Sequence, residues 1–287
     1  MMRALTLLLP LLLAAGPAVQ QQDWTQAKIE WNKPTAPFRI SSDVYYVGTA
    51  GVAAYLITSR HGHVLIDGGL PESAPLIEAN IKRLGFKLKD IRIILINHAH
   101  FDHAGGLAKL KRATGAVLLA SAGDKDDLEA GQTAGRPDLE QFPPVKVDEV
   151  IGDGDRIGLS GIQLVAHLTP GHTRGCTSFS YRTTINGQVL DMLFVCSLTV
   201  AGQDLTGGNP AYPGVADDFR HSFALLRTLP ADIFLSFHPG VFDMEAKRAR
   251  LPDNPLAFVD PGELGRRVDA AEAVFEKELA AQIAAKR

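Results

Sequence analysis

Two spacings of apolar residues recur along the chain. Short runs rich in Val, Ile and Leu, bounded by Gly, Pro, Asn or Asp, read as β-strands. They occur at 43–48 (DVYYVG) and 52–58 (VAAYLIT), around a turn at Gly51, and at 63–67 (HVLID), which ends in Gly68 and Gly69. The stretch 91–96 (IRIILI) is a short apolar run rich in β-branched residues and reads as a buried strand. Further strands are expected at 117–120, 162–168, 178–181, 189–195 and 233–237. Helical spacing marks 72–84, where Ala74, Leu76, Ile77, Ile81 and Leu84 share a face. Shorter helices are expected at 107–113 and 219–229, and a terminal one at 261–285, opened by Pro261 and rich in Ala and Glu. The polar segment 123–144, rich in Gly, Asp and Pro, reads as a helix end and a surface loop. Each half thus has strands followed by strand–helix units. Such mixing in one uninterrupted chain predicts a layered α/β sandwich and a single domain.

The first residues break this pattern. Arg3 precedes an apolar run over 4–15, interrupted only by Thr6 and Pro10, and Gly16, Pro17 and Ala18 follow. This is the layout of a secretory signal cleaved near Ala18. Residues 1–20 are therefore expected to be removed, leaving a domain over 21–287 in the periplasm. The run is shorter than the ~20 residues that cross a bilayer. No later segment is long and apolar enough, so no membrane partner is expected after cleavage, and the protein is expected to be a monomer. Basic residues number 29 against 32 acidic, and a net charge of −3 leaves no footprint for nucleic acid. Two cysteines in 287 residues cannot build a disulfide scaffold or a four-cysteine zinc site. Any metal must be held mainly by histidine and carboxylate.

The histidines supply that chemistry. The strand ending at Ile96 and Asn97 runs directly into His98-Ala99-His100-Phe101-Asp102-His103, followed by Gly105 and Gly106. A strand end opening into a tight loop turns alternate side chains toward one point. His98 and His100 can then share one ion while Asp102 and His103 reach a second. A solvated polar loop is the bland alternative, but polar clusters at the end of a buried strand mark sites. Imidazole and carboxylate suit zinc. His172 follows the strand ending at Leu168, and His238 follows the strand 233–237. Together they give one site of His98, His100 and His172 and another of Asp102, His103 and His238, each with an open position, as catalytic zinc requires. His61, His63, His167 and His221 lack this setting and read as structural.

Asp67-Gly68-Gly69 at a strand end, then HAHFDH, His172 and His238, resemble the metallo-β-lactamase superfamily across essentially the whole mature chain. The resemblance implies a four-layer αβ/βα sandwich with two zinc ions in a cleft at the top of two sheets. Within the superfamily the chain is most similar to subclass B3 β-lactamases, which have the same six ligands. Many other hydrolases of the superfamily carry a metal-bridging aspartate at a strand end in the second half. Here the segment 194–199 (FVCSLT) has none, and Asp191 comes too early. Subclass B3 has a serine there, matched by Ser197, and a serine or threonine two residues on, matched by Thr199. These two are implied to bind substrate.

The implied activity is hydrolysis of the β-lactam amide of penicillins, cephalosporins and carbapenems by a zinc-bound hydroxide, giving antibiotic resistance, with Asp102 catalytic. The alternative is another exported metallo-hydrolase of this fold, of lactonase or thioesterase type. Cys176 and Cys196 remain open at this point: two buried thiols, one bridge, or a metal ligand in Cys196. The family register places Ser197, not Cys196, at the metal-facing position.

Overall fold

The strand-forming segments fall into two sheets packed face to face. The computed structural model describes residues 23–287, so the segment read as an export signal lies outside the described residues. The first sheet runs in chain order: β1 (Phe38–Arg39), β2 (Val44–Tyr46), β3 (Tyr55–Ser59), β4 (Gly62–Ile66), β5 (Ile91–Leu95), β6 (Val117–Ser121) and β7 (Glu149–Ile151). The first four pair antiparallel, and β4 to β7 pair parallel. The second sheet has the order β12 (Ile233–Ser236), β11 (Gln188–Val195), β10 (Thr177–Ile185), β9 (Ile162–Leu168) and β8 (Arg156–Leu159). Only its β11–β12 pair is parallel.

Parallel neighbours need crossover connections. In the first sheet these are supplied by α2 (Ala74–Arg83), by α3 (Phe101–Ala104) with α4 (Leu107–Thr114), and by α5 (Ala122–Ala130). The remaining helices are α1 (Thr25–Trp31), α6 (Val215–Leu226), α7 (Met244–Arg250) and α8 (Glu263–Ala285). Side chains alternate across each strand. Val64, Ile66, Ile93 and Leu95 pack toward Leu164, Phe179 and Phe194 of the second sheet. Leu65 and Ile94 pack the other way, with Ile77, Ile81, Leu107 and Leu110. A strand buried on both faces reads as a near-continuous apolar run, which is why 91–96 stood out. Phe219, Phe223 and Phe275, from α6 and α8, complete the outer layer beside the second sheet. The result is the expected four-layer αβ/βα sandwich.

Several boundaries move. The strand expected at 52–58 begins only at Tyr55, because residues 49–52 form the turn itself, with Thr49 N–H bonded to the Val52 carbonyl at 2.9 Å. The strand at 178–181 extends to Ile185, paired with Gln188 across a tight hairpin. The helix at 219–229 starts earlier, at Val215, and ends at Leu226. Residues 101–104, expected in a tight loop, form the single helical turn α3. One turn is too short to show a hydrophobic period. The segment 123–144 holds nearly the whole of helix α5 (Ala122–Ala130), not only a helix end, before its loop.

One close approach ties the metal-ligand turn to the sheet. Gly68 N–H donates to the His103 carbonyl at 3.0 Å, and Gly106 N–H donates to the Gly69 carbonyl at 3.1 Å. A β-carbon on Gly106 would run into the Gly68 carbonyl oxygen. Gly106→Ala is expected to cost about 1–3 kcal/mol through forced backbone displacement. A urea-unfolding midpoint equal to that of the wild type would contradict this.

Candidate metal centre

Three chain segments bring the site together at one end of the sheets. His98 and His100 follow β5. His100 is extended (φ −102°, ψ 156°) and sits just before α3, so Asp102 and His103 fall in the first turn of that helix. His172 follows β9 and His238 follows β12. The rings of His98, His100 and His172 form a triangle with centroids 4.6–4.7 Å apart. Nε2 of His172 lies 3.1 Å from Nδ1 of His100. On the other side, Asp102 Oδ2 is 3.3 Å from Nε2 of both His103 and His238, and those two nitrogens are 3.3 Å apart. The structure thus brings all six expected residues into one cluster.

Four of the five rings, all but His100, are aimed by a partner behind them. Nδ1 of His172 donates to the Thr199 carbonyl at 2.7 Å, and Nδ1 of His238 donates to the Gly51 carbonyl at 3.1 Å. Nδ1 of His103 bonds Asp67 Oδ2 at 2.9 Å, and Nδ1 of His98 bonds the Asn97 side-chain oxygen. Asp67 is fully buried in a left-handed conformation (φ 70°) and also accepts the Asn97 backbone N–H at 3.0 Å. A proton fixed on Nδ1 leaves the Nε2 lone pair facing inward, the arrangement that orients metal-binding imidazoles.

The electrostatics fit a cation. Burial, with the neighbouring imidazoles, pushes His98 and His100 well below the usual histidine range, and burial brings His172 down to about 4. All three are neutral at neutral pH, the form in which imidazole can take a metal. His98 Nε2 is buried with no hydrogen-bond partner. Burial also works against charge on His103, but Asp102 and Asp67 beside it outweigh this and push it up to about 10. Burial disfavours the charged Asp102 too, yet His103 and His238 hold its carboxyl well below the usual range. The two carboxylates on either side of His103 mark where positive charge is favoured. Together with the orphaned lone pair, this donor set fits the di-zinc site typical of the fold.

Cys176 and Cys196 are joined in a disulfide, with Cα atoms 5.9 Å apart, which closes the question the sequence left open. Ser197 and Thr199 line the cleft with His100, Asp102, His103, His172 and His238, while His98 lies behind them. Their hydroxyls are 3.0 Å apart, and the Thr199 hydroxyl is 3.2 Å from His172 Nδ1. The cleft has a volume of about 800 Å³, and Trp24 and Trp31 also line it. The Trp31 ring lies 5.3 Å from that of His238, and the Trp24 ring 5.4 Å from that of Phe101. Sequence reading missed this aromatic wall, although both tryptophans of the chain fall within one short segment. It also gave no role to Asp67 beyond its motif, nor to the carbonyls that orient His172 and His238.

The pattern of the metallo-beta-lactamase superfamily matches residues 47–238, and the chain belongs to that superfamily. It is a zinc-binding metallo-hydrolase of that fold, closely resembling subclass B3 enzymes. A solved subclass B3 metallo-beta-lactamase of Bradyrhizobium japonicum is 43% identical, with a TM-score of 0.87 over 91% of this chain and 100% of that one. Another, from a soil metagenome library, is 39% identical, with a TM-score of 0.85 over 90% of this chain and 100% of that one. Curated relatives carry other names. An N-acyl homoserine lactonase of Bacillus cereus is 30% identical over 162 residues, 48% of this chain and 61% of that protein's length. A hydroxyacylglutathione hydrolase of Chromohalobacter salexigens is 29% identical over 206 residues, 71% of this chain and 68% of that protein. Among the described residues no helix is long and apolar enough to cross a membrane.

Proposed function

We propose that the protein is a zinc β-lactamase of the subclass B3 type, hydrolysing the lactam amide of penicillins, cephalosporins and carbapenems. The observation that carries this reading is the strand end after β11. Cys196 is tied to Cys176, Ser197 and Thr199 turn their hydroxyls toward each other, and Asp102 is the one carboxylate in the metal-competent clusters of the described residues. Likeness to subclass B3 structures over about nine-tenths of the chain supports the reading. The relatives named as N-acyl homoserine lactonase and hydroxyacylglutathione hydrolase match shorter stretches at lower identity.

In this reading His98, His100 and His172 hold one zinc ion, and Asp102, His103 and His238 the second. When bound, the ions supply Lewis acidity, which lowers the pKa of a water to about 7 and offsets charge left on the leaving nitrogen. The chain's own residues position the reactants. Asp102 accepts a hydrogen bond from the attacking water and turns it toward the lactam carbonyl. Ser197 and Thr199, two apart on an extended segment, present both hydroxyls to one side. They donate to the carboxylate these substrates carry beside the scissile amide.

Each hydrogen bond to a charged group is worth roughly 1.5–3 kcal/mol, so Ser197→Ala/Thr199→Ala is expected to lower kcat/KM on a penicillin at least tenfold. Zinc content should hold, because His172 bonds the Thr199 carbonyl, which the substitution leaves in place. Unchanged kcat/KM in the fully metallated double variant would place the anchor elsewhere. The function as a whole is tested by a hydrolysis panel of the three β-lactam classes with and without a chelator. Chelator-sensitive ring opening supports the reading, and an intact lactam with every member overturns it.

A further inference from the structure

Asp124 lies in the first turn of α5, outside the six-residue cluster, yet two ligand loops meet on its carboxylate. Oδ2 accepts the backbone N–H of Ala99 at 2.8 Å and the hydroxyl of Thr173 at 3.0 Å. Oδ1 accepts the N–H of Gly175 at 2.9 Å. Ala99 stands between His98 and His100, and Thr173 directly follows His172. The side chain is buried, with the residue 1% exposed, and among the described residues no lysine or arginine pairs with it. A buried carboxylate held only by neutral donors is costly to desolvate and is explained by what it fixes in place.

The surrounding contacts leave that junction little freedom. Ser121 Oγ donates to the Gly175 carbonyl at 2.7 Å, so the start of α5 holds the loop through both strands of contact. A β-carbon on Gly175 would run into Ser121 and Asp124. Thr133 Oγ1 donates to the Ala99 carbonyl at 2.8 Å, fixing the following peptide, so that Ala99 is held on both sides. His103 and His238 are held differently, by Asp67 and by the Gly51 carbonyl.

We propose that Asp124 is a positioning residue for the three-histidine site: it sets the separation between the His98–His100 loop and the His172 loop, and with it the metal affinity of that site. This rests on the ligand assignment above but not on the substrate. The test is zinc binding to metal-free protein, followed by competition with a chromophoric chelator, so its failure is distinct from a failure of the β-lactam reading. Wild-type protein is expected to bind two equivalents. Asp124→Ala should weaken one of them roughly 10–100-fold, the usual effect of losing a group that orients a ligand, and leave the other unchanged.

Cobalt substitution identifies the site: the spectrum of the one-equivalent Asp124→Ala protein should match that of His172→Ala and differ from that of His238→Ala. Asp124→Asn keeps an oxygen able to accept both Ala99 and Thr173, and should fall between the wild type and Asp124→Ala, which keeps the test open if the alanine variant folds poorly. Two equivalents at wild-type affinity in the variants, or equal weakening of both sites alongside a lowered melting temperature, would overturn the proposal.

Discussion

Metal-free protein is expected to lose β-lactam turnover by about a thousandfold or more, and to regain it on addition of two equivalents of zinc per chain. Lewis-acid stabilisation is worth several kcal/mol, and about 4 kcal/mol is a factor of about a thousand in rate. Among the described residues, no side chain lining the cleft supplies an equivalent Lewis acid. The strand end after β11 carries a disulfide and two hydroxyls, and the charged centre is an Asp–His–Asp arrangement without a nucleophile held by a base. Removal of metal should also lower the melting temperature. A ligand at 1,000 times its Kd stabilises a protein by about 4 kcal/mol, and that contribution vanishes with the ion. Zinc content by elemental analysis, turnover and melting temperature should therefore fall and recover together. Full turnover after exhaustive chelation would end the metal-dependent account.

Asp102→Asn is expected to lower kcat by about 10²–10³ while changing KM little, the loss typical of removing one preorganised group that acts on the transition state. Asp102 Oδ2 sits 3.3 Å from Nε2 of both His103 and His238, and those partners hold its carboxyl well below the usual range despite burial. Both partners thus favour its charged form. Asparagine keeps the shape but gives up the charge and one acceptor. The control is zinc content, because Asp102 is also an assigned ligand. A fully metallated Asp102→Asn protein with near-normal kcat would refute its role in orienting water.

The legibility of this site in the sequence has a physical reason. His98, His100, Asp102 and His103 fall within six residues, because one strand end and one helical turn deliver all four. His172 and His238 were readable because each stands just past an apolar strand, and strand ends on one side of a sheet share a rim. The layers were readable because β4, β5, β11 and β12 are buried on both faces and leave apolar runs. What escaped had no such trace. Helix α1 buries no residue and shows no period, so the wall of Trp24 and Trp31 was missed. The Thr199 and Gly51 carbonyls that orient His172 and His238 are backbone atoms, which any residue would provide. Asp124 looked like one acidic residue in a polar segment, since its three partners come from residues 25, 49 and 51 positions away.

The central claim is that this di-zinc cleft opens β-lactams rather than lactones or thioesters. The most direct measurement is kcat/KM of one zinc-loaded preparation for a penicillin, an N-acyl homoserine lactone and an S-acyl glutathione under identical conditions. The account predicts that the penicillin value exceeds both others by at least a hundredfold, about 2.7 kcal/mol of transition-state discrimination. A lactone or thioester value above the penicillin value would contradict it.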